Sequence, residues 1–412
     1  MFSSLSERNY RYFAAGQVVS NVGTWMQRVA QDWLVLELSG HSPMALGIAA
    51  ALQFAPTVFL SMWAGMLADR MDKRKLEILV QGGMGLTALV LGLLDVSGLA
   101  VLWQVYLLCL VLGVFSAMDS PIRQSFVMEM VGRRQLPNAV ALNSMTFNLA
   151  RIIGPAVAGV LITLVGTGWV FLINAASFVA VISGLLAMDP KKLYVGPKVP
   201  GQPGQLADAI RYVRGRPDIL VVLTLVFCVS TFGMVFFTTL ANVAVNVFHR
   251  SATGYGLLST MLAVGTLAGA TLAARRSTGQ AGPRMRLLIA SALVFGVLEI
   301  VLAAMPTYPT FGLLLIPVGA AVLTFTTNAN SAVQLSVSAE MRGRVMGLYM
   351  LVFLGGNPIA GPLTGWLAEV FGGRAPFVFG GVVSAVAAVV CGAILARRGG
   401  VRLTSSPRLR AR

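Results

Sequence analysis

The sequence predicts an all-α membrane protein whose twelve transmembrane helices form two pseudo-symmetric six-helix bundles. Three observations predict it. The 412 residues are 56% hydrophobic and 11% charged, with a mean hydropathy of +0.78, more apolar surface than a water-soluble chain can hide in one core. Apolar runs long enough to cross a bilayer, about 20 residues each, fall near 12–37, 43–68, 76–94, 101–118, 138–165, 169–188, 219–246, 253–274, 287–305, 310–332, 345–370 and 375–396. The chain also repeats itself at an offset of roughly 208: Ser42-x-x-x-x-Gly47 returns as Ser251-x-x-x-x-Gly256, Gly154-Pro155 as Gly361-Pro362, and Leu186-Ala187 as Leu395-Ala396. Two halves repeated in parallel bind substrate near the midplane between them.

A net charge of +16 and a pI near 10.7 would point to nucleic acid in a soluble chain, so the placement of the cations decides. Of the 31 Lys and Arg residues, only Arg250 and Arg374 fall in loops on the side away from the termini, and only Arg28 and Arg151 fall inside spans. The positive-inside rule puts both termini in the cytoplasm, with the bilayer as partner and no nucleic acid. Cys109, Cys228 and Cys391 lie inside apolar spans, which gives neither a disulfide framework nor metal spacing. No metal and no cofactor are expected. The N-terminus has no short apolar core with a cleavage site, so the first span is expected to act as the insertion signal of a multi-pass protein of a bacterial plasma membrane.

The chain divides into an N-terminal bundle over 1–188, a cytoplasmic linker with a short amphipathic helix over 189–216, a second bundle over 217–396 and a basic cytoplasmic tail over 397–412. In the first span Gln17, Asn21, Thr24, Arg28 and Asp32 recur at three- or four-residue steps, while Val18, Val22, Val29 and Val35 fall elsewhere around the helix. A polar stripe at that depth faces a wet cavity. Arg28 and Asp32 stand one turn apart, and an ionisable pair inside a span is a functional candidate. Burial and the neighbouring cation act on the proton of Asp32 in opposite senses, so the pair either exchanges a proton as the cavity alternates sides or stays a permanent, self-neutralising ion pair.

After the second span comes Gly65-Met66-Leu67-Ala68-Asp69-Arg70-Met71-Asp72-Lys73-Arg74-Lys75, a charged hinge between two apolar runs and therefore a turn outside the membrane. The pattern Gly65-x-x-x-Asp69-Arg70-x-x-Lys73-Arg74-Lys75 resembles the signature loop of the major facilitator superfamily, with Asp72 where that superfamily usually has glycine. The segments Asp119-Ser120-Pro121-Ile122-Arg123-Gln124, Asn138 to Ser144 and Arg342-Gly343-Arg344-Val345-Met346-Gly347 resemble its branch of macrolide and enterobactin exporters. The resemblance implies that Asp69 sits against the start of the eleventh span, near Arg344, where the helix dipole favours negative charge. It also implies that Asp119 partners Arg70 or Lys73. The bland alternative is that Gly65, Asp69, Arg70, Lys73 and Asp119 fix topology and do not latch the halves.

Arg151 in the fifth span either faces the cavity, touching substrate or Asp32, or ties helices together. It precedes Gly154, Pro155 and Gly159, which resemble a Gly-Pro-rich antiporter motif and offer a close approach to a neighbour. That neighbour is expected to be the eighth span, through Gly265-x-x-x-Gly269. The arginine common in the fourth span of proton-coupled antiporters is absent, its place falling near Cys109. Glu299 in the ninth span reads as a structural residue. In the linker, Leu206, Ile210 and Val213 recur opposite Asp208, Arg211 and Arg214, either as a helix lying on the inner membrane surface or as a solvated loop. In the second half Thr238, Asn242, Thr324, Thr327 and Asn328 offer neutral hydrogen-bond partners, and Phe232, Phe236, Trp25 and Tyr106 offer aromatic surface. That mix suits a bulky, partly apolar small molecule.

The expected function is export of such a molecule, a drug, siderophore or natural product, by proton antiport with alternating access, in a chain acting as a monomer. An uptake facilitator of the same fold and a non-transporting receptor are the alternatives. An enzyme or ATP-driven pump is excluded: His41 and His249 are the only histidines and lie in loops, and no Gly-x-x-x-x-Gly-Lys-Ser/Thr loop exists.

Overall fold

The computed structural model describes residues 3–194, 205–276, 285–338 and 340–397, apart from the side chains of 61–62, 64–66, 68–70, 205–206 and 273–276. The tail from 398 and part of the linker fall outside the described residues. Spans 1 to 3 are Arg8–Leu38, Pro43–Arg70 and Lys73–Val96. The helix Leu102–Val165 is two spans joined end to end, span 4 over 102–131 and span 5 over 133–165, parted at Gly132, whose φ of 66° and ψ of 171° are not helical. That positive φ is open to glycine at no steric cost. Span 6 is Thr167–Leu186, and the linker contains the helix Gln205–Arg214. The second half continues with span 7, Pro217–Val247, span 8, Ala252–Arg276, and span 9, Met285–Ala303. Span 10 is Tyr308–Ser336, span 11 is Arg342–Phe371, and span 12 is Ala375–Arg397.

Local chemistry starts the helices where the sequence turns. The Ser42 hydroxyl accepts from the Ala45 amide at 3.3 Å ahead of span 2, and Thr307 does the same for Thr310 at 3.4 Å ahead of span 10. Asp72 accepts from the Lys75 amide at 3.2 Å. The residue that departs from the superfamily's glycine therefore caps span 3. Two spans of the second half are not regular α-helices. Span 7 carries π-helical turns at Val229–Gly233 and Val243–Val247, with a break at Met234 and Val235, and span 11 is interrupted at Gly356. The first π-turn faces the interruption of span 11, because Thr231 occupies the space a side chain at Gly356 would need.

The two bundles meet through two pseudo-symmetric pairs of spans. In one, Gly47 of span 2 lies against the backbone of Gly361 and Pro362 in span 11, and Gly365 against Pro43 and Met44. In the other, Gly256 of span 8 lies against Pro155 and Gly159 in span 5, and Gly159 against Ala252 and Thr253. These are the repeated motifs of the sequence, and each repeat supplies one side of each pair. Gly154 faces Val22, Trp25 and Met26 of span 1, while Gly265 and Gly269 face Ile316 and Ala320 of span 10. The expected pairing of Gly265 and Gly269 with span 5 is thus corrected. Gly256, near the start of span 8, meets span 5, and Gly265 and Gly269 further along pack inside the second bundle.

Between the bundles, hydrogen bonds among the described residues lie on the side away from Lys73, Arg74, Arg133 and Arg134. They join Asn246 to the His41 carbonyl (3.0 Å), Thr253 to Thr163 (2.9 Å) and to the Gly159 carbonyl (3.0 Å), Tyr255 to Asp32 (2.8 Å) and Thr260 to the Ile152 carbonyl (3.3 Å). Toward the basic face spans 2 and 11 diverge. A Cβ on Gly355 would meet Val58 only at 3.8 Å, and one on Gly347 would meet nothing within 4 Å. A crevice opens there. The linker helix does not lie free on a surface. Ala209 and Val213 are buried in protein, and Asp208 bonds Arg344 at the start of span 11 at 2.9 Å.

Candidate functional site

The crevice has three tiers. Deepest, span 1 places Asp32, 3% exposed, where its Oδ2 accepts the Tyr255 hydroxyl of span 8 at 2.8 Å. Arg28 approaches the same oxygen only at 3.8 Å, through an Nε with no hydrogen-bond partner, and spends its Nη1 on the side-chain Oε1 of Gln53 at 3.0 Å. Its guanidinium lies between the rings of Phe54 and Phe237, 5.1 Å from each centroid, contacts worth about 0.5–2 kcal/mol each. Asp32 is therefore held chiefly by a hydroxyl from the other bundle, and Arg28 chiefly by aromatic faces and an amide.

The middle tier is aromatic. Trp25 lies between Phe147 of span 5, which meets it edge-on, and Phe237 of span 7, which is tilted against it, both centroids 5.5 Å away, and Arg151 covers the Trp25 ring at 5.7 Å. Among the described residues no carboxylate lies within ion-pair distance of Arg151, and Asp32 is paired elsewhere. Nearest the basic face, a cavity of about 170 Å³ is lined by Asn21, Arg123, Asn143, Ser144, Phe147 and Asn148. Behind it, Arg123 pairs with Asp119 at 3.1 Å, and Gln81 donates to both Asp119 (2.8 Å) and Glu77 (3.0 Å). Glu77 is fully enclosed, its second oxygen unpartnered.

Several expected site residues stand elsewhere. Phe236 is 5% exposed and packs on Phe295 and Phe377, and Phe232 packs on Phe227 and Phe379, all inside the second bundle. Phe232 lies within the first π-turn, and that turn and the break after it rotate the helix ahead of Phe236, so the adjacent Phe237 reaches the crevice instead. Thr238 is buried and bonds the Val235 carbonyl, while Asn242, 2% exposed, accepts from Asn246 near the far face. On span 10 the Thr324 hydroxyl bonds the Ala320 carbonyl, the Asn328 amide bonds the Thr324 carbonyl at 2.6 Å, and Thr327 is exposed. Thr24 is exposed beside Trp25, and Tyr106 is half-buried against the core.

Asp119 pairs with Arg123, and Lys73 with Glu129, so neither forms the expected bond to the other. The side chains of Gly65, Asp69 and Arg70 fall outside the described residues. Tyr255 and Phe237 escaped the sequence reading. Tyr255 carried a signal, because in the repeat it stands where the first half has Leu46, a hydroxyl in an otherwise apolar register. Phe237 carried none, since no composition rule marks a π-turn.

The profile of one protein family, described as transmembrane secretion effector, matches residues 1–408. The staphyloferrin A transporter of Staphylococcus aureus is 28% identical over 62% of this chain, a match spanning 64% of that protein, less than two thirds of its length. The enterobactin exporter EntS of Citrobacter koseri is 25% identical over 81% of this chain and 79% of its own length. The multidrug efflux pump Tap of Mycobacterium tuberculosis is 24% identical over 88% and 87%. Among solved structures, the POT family transporter PepTSo superposes with a TM-score of 0.77 at 14% identity, covering 96% of this chain and 99% of that one. A bacterial homologue of the lysosomal transporter Spinster, in an inward-facing and unoccupied conformation, gives 0.71 at 16% identity over 94% and 96%.

Proposed function

We infer cargo, direction and driving force from one premise: the chain belongs to the transmembrane secretion effector family of the major facilitator superfamily. It is a multi-pass membrane transporter. In this reading it sits in a bacterial plasma membrane with both termini cytoplasmic. It exports a bulky, partly apolar molecule, a drug, siderophore or other natural product, in exchange for protons, the bundles alternating access about the crevice. A siderophore transporter, a siderophore exporter and a multidrug pump among its relatives support the cargo class.

One observation carries the coupling. Among the described residues, the bond from Tyr255 to Asp32 is the one hydrogen bond to a carboxylate that crosses between the bundles. It exists while the far side is closed. When the bundles part there, Tyr255 leaves with the second bundle, and Asp32 meets the outer medium and takes a proton. On return, Tyr255 and Arg28 reclaim the carboxylate, and the proton leaves toward the crevice. Glu77 and Glu299 form no such crossing bond.

The test is transport in everted vesicles with an imposed proton gradient, scored on a panel of dyes, antibiotics and siderophores. Wild-type protein is expected to concentrate a panel member inside the vesicles and to stop when an uncoupler is added. Asp32→Asn is expected to retain equilibrating exchange and lose concentration against a gradient. Gradient-driven accumulation by Asp32→Asn equal to wild type refutes the coupling, and accumulation in the opposite direction assigns uptake.

A further inference from the structure

We propose that the crevice is built for a cargo carrying an anionic, oxygen-rich group, a carboxylate above all, held between Arg151 and Arg123 with the carboxamides of Gln17 and Asn21 as neutral donors. The proposal deepens the transport reading and rests on it for the word cargo.

Of the three arginines along the crevice, two have a carboxylate partner among the described residues and one has none. Arg28 stands with Asp32, and Arg123 with Asp119. Arg151 stands with the Trp25 ring and, among the described residues, with no carboxylate. An uncompensated guanidinium inside a membrane span is costly, and a cation–π contact replaces only part of a lost counter-ion. A diffusible anion completes the account.

The unpaired polar atoms of the same wall are donors. Gln17 is 3% exposed, and its Oε1 accepts from Arg123 Nη1 at 3.4 Å, which fixes the amide's orientation and leaves its Nε2 without a partner. One turn on, Asn21 is 8% exposed and lines the cavity with an unpartnered Nδ2. Buried donors of this kind call for an acceptor. Arg123 has five N–H donors and commits them only in part to Asp119 and Gln17. A second carboxylate can share its fork, as planar guanidinium recognition allows.

The placement joins these groups. Phe147 lines the cavity and touches Trp25, and Arg151 lies one turn further along span 5. An anion seated in the cavity therefore has Arg123 on one side, Arg151 toward the aromatic tier, and the rings of Trp25, Phe147 and Phe237 beside its apolar body. The cargo class that fits is an amphipathic organic anion.

The test is equilibrium binding to the purified full-length protein in neutral detergent, without a gradient, using 1-pyrenebutyrate, its neutral amide and the cationic 1-pyrenebutylamine. Energy transfer from tryptophan to pyrene reads occupancy. The carboxylate is expected to bind about tenfold tighter than the amide or the amine, the worth of one charge-assisted bond. Arg151→Gln combined with Asp119→Asn/Arg123→Gln is expected to erase that preference while leaving amide affinity within about twofold, since the aromatic wall is intact. Replacing Asp119 and Arg123 together avoids a stranded carboxylate, and Arg151→Gln alone strands none, so each variant is expected to fold.

Equal affinities for the three probes on the wild type overturn the proposal, as does an undiminished preference in the triple variant. Displacement of the carboxylate by phosphatidylglycerol but not by phosphatidylcholine, at matched concentrations, assigns the groups to a lipid headgroup and overturns it too. Binding preference without gradient-driven transport refutes only the transport reading, and transport without the preference refutes only this one.

Discussion

Removing the Tyr255 hydroxyl tests whether the deepest tier sets which side of the crevice is open. Tyr255→Phe keeps the ring, which is fully buried, and deletes the 2.8 Å contact with Asp32 together with a longer 3.2 Å contact to the Phe237 carbonyl, which belongs to the same bundle as Tyr255 and is open to the hydroxyl in either state. A hydrogen bond to a charged partner contributes about 1.5–3 kcal/mol. Because this one exists only while the bundles are closed on the far side, its whole worth enters the equilibrium between states and shifts it roughly ten- to hundredfold toward the far-side-open form. Spin labels at Leu99→Cys and Ala304→Cys, exposed positions beyond spans 3 and 9, report the far-side separation by pulsed dipolar spectroscopy once Cys109, Cys228 and Cys391 are replaced by alanine. The variant is expected to populate a longer distance that the wild type barely shows. Asp32→Asn retains an acceptor for the hydroxyl, so its shift is expected to be smaller. The wild-type distribution is expected to lengthen as pH falls, and that of Asp32→Asn to stay constant. If Tyr255→Phe is folded and its distance distribution matches the wild type within threefold in population, the bond does not hold the far side shut.

Three further outcomes are expected. Gly256→Val places a branched side chain against Pro155 and Gly159 at the span 5 interface, and overpacking of about 1–3 kcal/mol is expected to lengthen the same spin-label distance without lowering expression. Asp72→Ala removes the cap of span 3 and is expected to cost about 1 kcal/mol of thermal stability in detergent, whereas Asp72→Gly costs only a few tenths. Gly380→Ala drives a methyl to 3.1 Å from Glu299 Oε1 and against the Phe232 carbonyl. A loss of about 1–3 kcal/mol is expected in its melting curve, with Glu299→Gln melting close to wild type.

The spans and their pairing into halves were legible because both follow from long-wavelength features of the sequence: apolar runs of bilayer length and a repeat. The polar stripe of span 1 was legible for the same reason, a helical period over four turns: Gln17, Asn21, Arg28 and Asp32 are turned inward, while Thr24, counted in the same stripe, is exposed beside Trp25. Legibility failed where the helix stops being periodic. The π-turn of Val229–Gly233 rotates Phe236 into the bundle and Phe237 out of it, a one-residue slip that no wheel drawn through span 7 contains. It failed again where partners were chosen by three-dimensional proximity. Lys73 found Glu129 and Asp119 found Arg123, because a carboxylate one helical turn away or on an adjoining helix end competes with any more distant cation. The glycines of span 8 showed the same limit, since spacing marks a smooth face but not which helix lies on it.

Where Gly47 meets Gly361 and Gly256 meets Pro155 the seams are backbone on backbone, and the side chains that cross beside the second are the small hydroxyls of Thr163, Thr253 and Thr260. Two such surfaces behave as plain bearings. They hold through dispersion, which is strong only at close registry, yet nothing has to be unthreaded for them to slide or tilt. A machine that reverses many times needs a joint that is firm at rest and cheap to undo, and four short glycine-bearing steps, copied once by duplication, provide it without any specialised hinge.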